Sequence, residues 1–108
     1  MNIANVYKTH EWFEVLQTTQ RSQTAVMVLN ADGESSEEMN THEKSDQVLM
    51  VVEGEVHGVI GLKHVVLHKG DVCIVPAGTP HRFENKSNYR TVTFNVYSPP
   101  EYNRNEKG

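Results

Sequence analysis

Six histidines and one cysteine are the side chains of this 108-residue chain best suited to bind a metal or to exchange a proton near neutral pH. Their local settings differ. His81 follows a run, Gly70 to Pro80, that reads as turn, strand and turn. Gly70 permits a tight turn before a strand. Pro76 and Gly78 end that strand and reverse the chain. His81 then opens the next strand, with Phe83 and Asn85 on its face by parity. A turn that delivers a histidine to a strand start holds an imidazole rigidly, as a metal site or a general acid–base site requires. His10, His57, His64 and His68 read as surface residues, and Cys73 as a small buried strand residue.

The elements that must hold such a site are strands. Turn signals recur at short intervals: Asn30-Ala31-Asp32-Gly33, Glu53-Gly54-Glu55, Lys69-Gly70-Asp71, Pro76 to Pro80 and Asn85 to Asn88. Between them lie short runs rich in Val, Ile, Thr and Phe, which predicts an all-β sandwich or barrel. The expected strands are Ala25–Leu29, Gln47–Glu53, Val56–Ile60, His64–His68, Val72–Val75, His81–Glu84 and Thr91–Tyr97, with a further one through Glu14–Thr18. Helix signals are weak; His10–Leu16 offers at most one turn. Thr91–Tyr97 alternates, with Thr93, Asn95 and Tyr97 on one face and Val92, Phe94 and Val96 on the other. Alternation alone leaves open which face looks inward. The expected organisation is an N-terminal segment 1–24, a barrel 25–97, and a surface tail 98–108 beginning at Ser98-Pro99-Pro100.

Gln47-Val48-Leu49-Met50-Val51-Val52 is apolar on both faces of its strand. One face fills the barrel, and the other needs a cover. A second copy of the chain would supply it, which makes a homodimer the expectation; the alternative cover is the chain's own N-terminal strand. The net charge of −4, with basic residues scattered, argues against nucleic acid and anionic membranes as partners. No apolar stretch is long enough for a membrane helix, and Met1–Phe13 lacks the pattern of a signal peptide. A single cysteine cannot form an internal disulfide, so the cytoplasm is the expected compartment.

The segment Gly70 to Asn85 resembles the second motif of the cupins, G-x5-P-x-G-x2-H-x3-N, at every defined position: Gly70, Pro76, Gly78, His81 and Asn85. The stretch from Asn40 to Gly54 resembles the first, G-x5-H-x-H-x3–4-E-x6-G, with changes. His42 stands at the second histidine, Asn40 at the first, and Gln47, counted back from Gly54, at the glutamate. The resemblance implies an antiparallel double-stranded β-helix, or jelly-roll barrel, with a pocket inside. It implies a divalent transition metal (Zn, Mn, Ni or Fe) on His42, His81, Gln47 and Asn40. Asp46 is the alternative to Gln47 at the shorter allowed spacing, and His57 a further possible ligand. Phe83, Asn95 and Tyr97 are the expected pocket lining.

Two of the four usual ligands are thus amides, which bring no negative charge and hold a transition metal more weakly. Two uses of the pocket follow. In one, a metal polarises a carbonyl or hydroxyl of a small oxygenated substrate, with His81 or Tyr97 exchanging protons. In the other, the pocket binds a small-molecule ligand, a sugar or organic acid, without metal; amides suit that use because each both donates and accepts.

Overall fold

The structure is a computed structural model and describes residues 1–103. Eight strands make up its regular structure: β1 Phe13–Thr18, β2 Gln23–Leu29, β3 Asp46–Glu53, β4 Glu55–Ile60, β5 Lys63–His68, β6 Val72–Val75, β7 His81–Glu84 and β8 Thr91–Ser98. They form a five-stranded sheet, β1-β2-β8-β3-β6, and a three-stranded sheet, β5-β4-β7, with every pairing antiparallel. Among the described residues there is no helix, so none is long and apolar enough to cross a membrane. The turn expected at His10–Leu16 gives way to strand from Phe13, because Phe13 is buried and in register with Met27 of β2.

The registers sort the faces. Tyr97 lies between Gln23 and Gln47, Asn95 between Ala25 and Leu49, and Thr93 between Met27 and Val51. All of these residues are buried, so the Thr93–Asn95–Tyr97 face of β8 looks into the barrel. The core joins the two sheets: Met27, Leu29, Leu49, Val51 and Tyr97 from one, Val56 and Phe83 from the other. Gly58 lies against the Phe83 ring, where an added Cβ would stand 2.9 Å from it, so only glycine leaves room for that ring.

The two turns that flank β6 have the geometry their residues dictate. Gly70 and Gly78 both take positive φ, 91° and 80°, which side chains other than glycine rarely adopt. Asn85 ends β7 as a structural clamp. Its Nδ2 donates to the carbonyls of Leu29 (3.0 Å) and Tyr89 (2.6 Å), and its Oδ1 accepts from the Ser87 N–H (2.9 Å).

The outer face of β3 is not covered by the N-terminal strand. β1 joins the far edge of the same sheet, beyond β2 and β8, because its backbone pairs antiparallel with β2 and so lies in the plane of the sheet rather than over β3. Val48 and Met50, half-buried, continue outward into Ile74 and Val72 of the edge strand β6, which are 61% and 56% exposed.

Candidate functional site

The loop from β2 to β3 is zipped along β7. The Asn40 N–H donates to the His81 carbonyl (2.7 Å), the His81 N–H donates to the Asn40 carbonyl (2.8 Å), and the Gly78 N–H donates to the His42 carbonyl (2.8 Å). This pairing brings His42, 39 positions away in sequence, over His81. The ring centroids are 4.8 Å apart with the planes tilted by 46°, and both histidines are buried.

Each imidazole is committed through Nδ1. His81 Nδ1 lies 3.0 Å from the Thr79 carbonyl oxygen, which can only accept, so Nδ1 carries the proton and Nε2 the lone pair. His42 Nδ1 lies 3.1 Å from Glu101 Oε2. Burial pulls the His81 pKa below its ordinary value; the Thr79 carbonyl opposes that, the His42 ring adds to it, and Glu101 opposes it. His81 is therefore neutral at pH 7, the form in which imidazole binds metals.

Gln47 supplies the third inward group. Its orientation follows from a chain of donors that ends on a backbone carbonyl. The Thr93 hydroxyl donates to the Met27 carbonyl (3.0 Å). Asn95 Nδ2 then donates to Thr93 Oγ1 (3.0 Å), and Gln47 Nε2 donates to Asn95 Oδ1 (2.9 Å). Gln47 Oε1 is left facing the cavity. The residue is 3% exposed, and among the described residues this oxygen has no partner. A buried acceptor left unpaired costs about 1–3 kcal/mol, which a bound group would relieve.

The structure brings His42, His81, Gln47, Asn40, Phe83 and Tyr97 to one cavity of about 30 Å³. Two expectations need correction. Asp46 points out of the barrel, where its Oδ1 accepts from the Ala77 N–H (2.9 Å); neighbours on a strand face opposite ways, and Gln47 takes the inward position. Asn95 does not line the cavity. It lies beneath Gln47 and orients it. His57 faces outward beside Arg82 and Glu84, and His10, His64 and His68 are exposed.

The larger correction concerns the C-terminal segment. Of the expected surface tail 98–108, residues 104–108 lie outside the described residues, but Pro100–Tyr102 fold back over the cavity mouth. Gln23, buried at the start of β2, holds them. Its Oε1 accepts from the backbone N–H of Glu101 (3.1 Å) and Tyr102 (2.9 Å), and its Nε2 donates to the Tyr102 carbonyl (2.7 Å). The Ser45 hydroxyl donates to the Pro99 carbonyl (2.7 Å). The Tyr102 ring meets Phe13 at 5.0 Å, Tyr97 at 5.2 Å and His42 at 6.0 Å between centroids. Burial, then Tyr102 and Glu101, hold the Tyr97 hydroxyl well above the ordinary tyrosine range. The one sequence signal for this strap is an aromatic, Tyr102, just after a Pro-Pro pair.

A barrel of two antiparallel sheets with paired histidines in its mouth is a cupin arrangement, and the Cupin domain family matches residues 25–97. The chain belongs to that family. An uncharacterized protein of Streptomyces coelicolor is 30% identical over 86 residues, covering 80% of each chain. A crystal structure from Thermus thermophilus is similar at a TM-score of 0.81 and 24% identity, over 92% of this chain and 98% of that one. One from Bacillus halodurans is similar at 0.86 and 20% identity, over 94% and 80%. At these identities the structures share the fold.

The family implies a metal, and the donors present fit one of modest affinity. Two imidazole nitrogens and the unpartnered Gln47 Oε1 would serve a divalent transition ion as neutral ligands. Among the described residues no three histidine, cysteine, aspartate or glutamate side chains converge on one point.

Proposed function

We propose that this cupin binds a divalent transition metal through Nε2 of His42, Nε2 of His81 and Oε1 of Gln47, and acts on a small oxygenated metabolite. The observation that supports it best is the Nδ1 commitment of both imidazoles, to the Thr79 carbonyl and to the Glu101 carboxylate. Acceptors on Nδ1 are what orient metal-binding histidines, because they set the tautomer and direct Nε2 at the ion. A bound metal would polarise a carbonyl or hydroxyl of the substrate. Tyr97, protonated at neutral pH, lines the same cavity with its hydroxyl hydrogen-bonded to Tyr102, and Phe13, Phe83 and Tyr102 supply apolar walls.

Elemental analysis of tag-free protein, purified without chelators, tests this reading beside His42→Ala and His81→Ala. One metal per chain, lost in both variants, supports it. No metal after incubation with excess Fe, Mn, Ni and Zn in turn overturns it. The second reading, a metal-free module for a sugar or organic acid, is favoured by the amides at Asn40 and Gln47. It predicts thermal stabilisation by such a ligand in the presence of chelator.

We also propose that a second copy covers the outer face of β3 and β6. β6, Val72-Cys73-Ile74-Val75, is an edge strand with no charged residue and no proline to block pairing, and its exposed branched side chains continue the apolar face. Light scattering should find a dimer that Ile74→Lys converts to a monomer; a monomeric native chain sinks this part.

A further inference from the structure

The resemblance to the first cupin motif puts a glutamine where a carboxylate is usual, yet a carboxylate reaches the site from elsewhere. Glu101 arrives on the strap that follows β8, 54 positions beyond Gln47, and places Oε2 3.1 Å from His42 Nδ1. The strap is held by buried groups. Gln23 is 1% exposed and spends both ends of its amide on the backbone of residues 101 and 102, while Ser45 holds Pro99. The His42 ring is held as well, with Tyr97 edge-on at 5.3 Å and Tyr102 edge-on at 6.0 Å.

We propose that Glu101 is a positioning residue: its carboxylate keeps the His42 proton on Nδ1 and so turns the Nε2 lone pair to the cavity. Which nitrogen of a neutral imidazole carries the proton is set by the hydrogen bond the other one makes. A carboxylate accepts that bond and cannot donate, so the Nδ1–H form is the one it selects. His81 obtains the same outcome from the Thr79 carbonyl two residues away, and His42 obtains it from the strap. Glu101 thus brings back, behind a ligand, the negative charge that position 47 lacks among the ligands. The metal part of this inference rests on the function proposed above; the tautomer part does not.

The test uses full-length, metal-free protein with 15N-labelled histidine, in chelator, at a pH where His42 is neutral. Long-range 1H–15N correlation spectra report which nitrogen carries the proton. His42 is expected as Nδ1–H in the native protein and in Glu101→Gln, whose amide oxygen still accepts the bond. In Glu101→Ala it should pass largely to Nε2–H. Calorimetric titration with Zn²⁺ or Co²⁺ after chelator removal should show affinity falling about tenfold to a hundredfold in Glu101→Ala, with Glu101→Gln closer to native. The same tautomer in native and Glu101→Ala protein overturns the proposal. So does complete loss of metal binding with the tautomer unchanged, which would make Glu101 a ligand instead. If the native protein takes up no metal, the metal reading fails, while the tautomer comparison still decides the role of Glu101.

Discussion

The two imidazoles stand 4.8 Å apart and are held by opposite means. The His81 ring is oriented by its neighbours in sequence. The Pro76–Pro80 turn delivers it, Thr79 orients its ring, and Phe83 two residues on lies against it at 5.9 Å between centroids. His42 sits in an irregular loop and is held from afar: by the backbone of Gly78, and by Glu101 and Tyr102 at the other end of the chain. One half of the site is a local motif, and the other half exists only when β8 is paired and the strap has closed. The difference suggests that the His81 half shares the stability of the core, while the His42 half can loosen without global unfolding.

Substitutions can break or sharpen that contrast. Phe83→Ala removes a buried ring beside His81 and should cost about 3–5 kcal/mol, measured by denaturant unfolding. Tyr102→Ala, on the partly exposed strap, should cost about 1–2 kcal/mol by the same measurement. Equal costs would make the strap a full member of the core and end the contrast. Asn85→Ala leaves the buried Leu29 carbonyl without its side-chain partner and should cost about 1–3 kcal/mol. That would show the motif's asparagine to be a clamp rather than part of the pocket.

Acid probes the His81 half in the metal-free protein. Burial lowers the pKa of His81 in the folded state, so below about pH 6.5 the unfolded chain binds a proton that the folded one refuses. His81 therefore leaves stability intact above the unfolded value and erodes it as pH falls through the window down to its lowered folded value. Melting temperatures at stepped pH should show this fall, and His81→Asn should flatten that part of the profile. An unaltered profile in the variant would mean that the folded site protonates as readily as the unfolded chain. The smallest effect belongs to Asp46→Asn. Its side chain is outside the barrel and the amide oxygen still accepts from Ala77, so stability should stay within about 0.5 kcal/mol and any bound metal should be retained. Loss of metal in that variant would reverse the assignment of Gln47 as the inward group.

Much of this was legible in the residues. Strand alternation and turn chemistry are local properties, and the seven strands expected from Ala25 to Tyr97 lie within one or two residues of those observed. His81, Phe83 and Asn85 share a buried face because parity along a strand is set by backbone geometry. The Gly70 and Gly78 turns could be read for the same reason. Asn95 was less legible: alternation grouped it with Tyr97, but depth within the barrel depends on the neighbouring strands. Gln47 lies across from Tyr97 and reaches down to Asn95, so Asn95 supports the pocket without facing it.

The sequence by itself determined the strands, the turn that presents His81 and the amides at Asn40 and Gln47, because each depends on residues close together in the chain. Only the tertiary structure decided that Gln47 rather than Asp46 faces inward, that its oxygen is the unpartnered end, and that Glu101 and Tyr102 close over His42. Those outcomes depend on strand register and on a return of the chain of about sixty residues. The free energy holding that return is spread over Gln23, Ser45 and Phe13, none of which is its neighbour in sequence, as well as Tyr97.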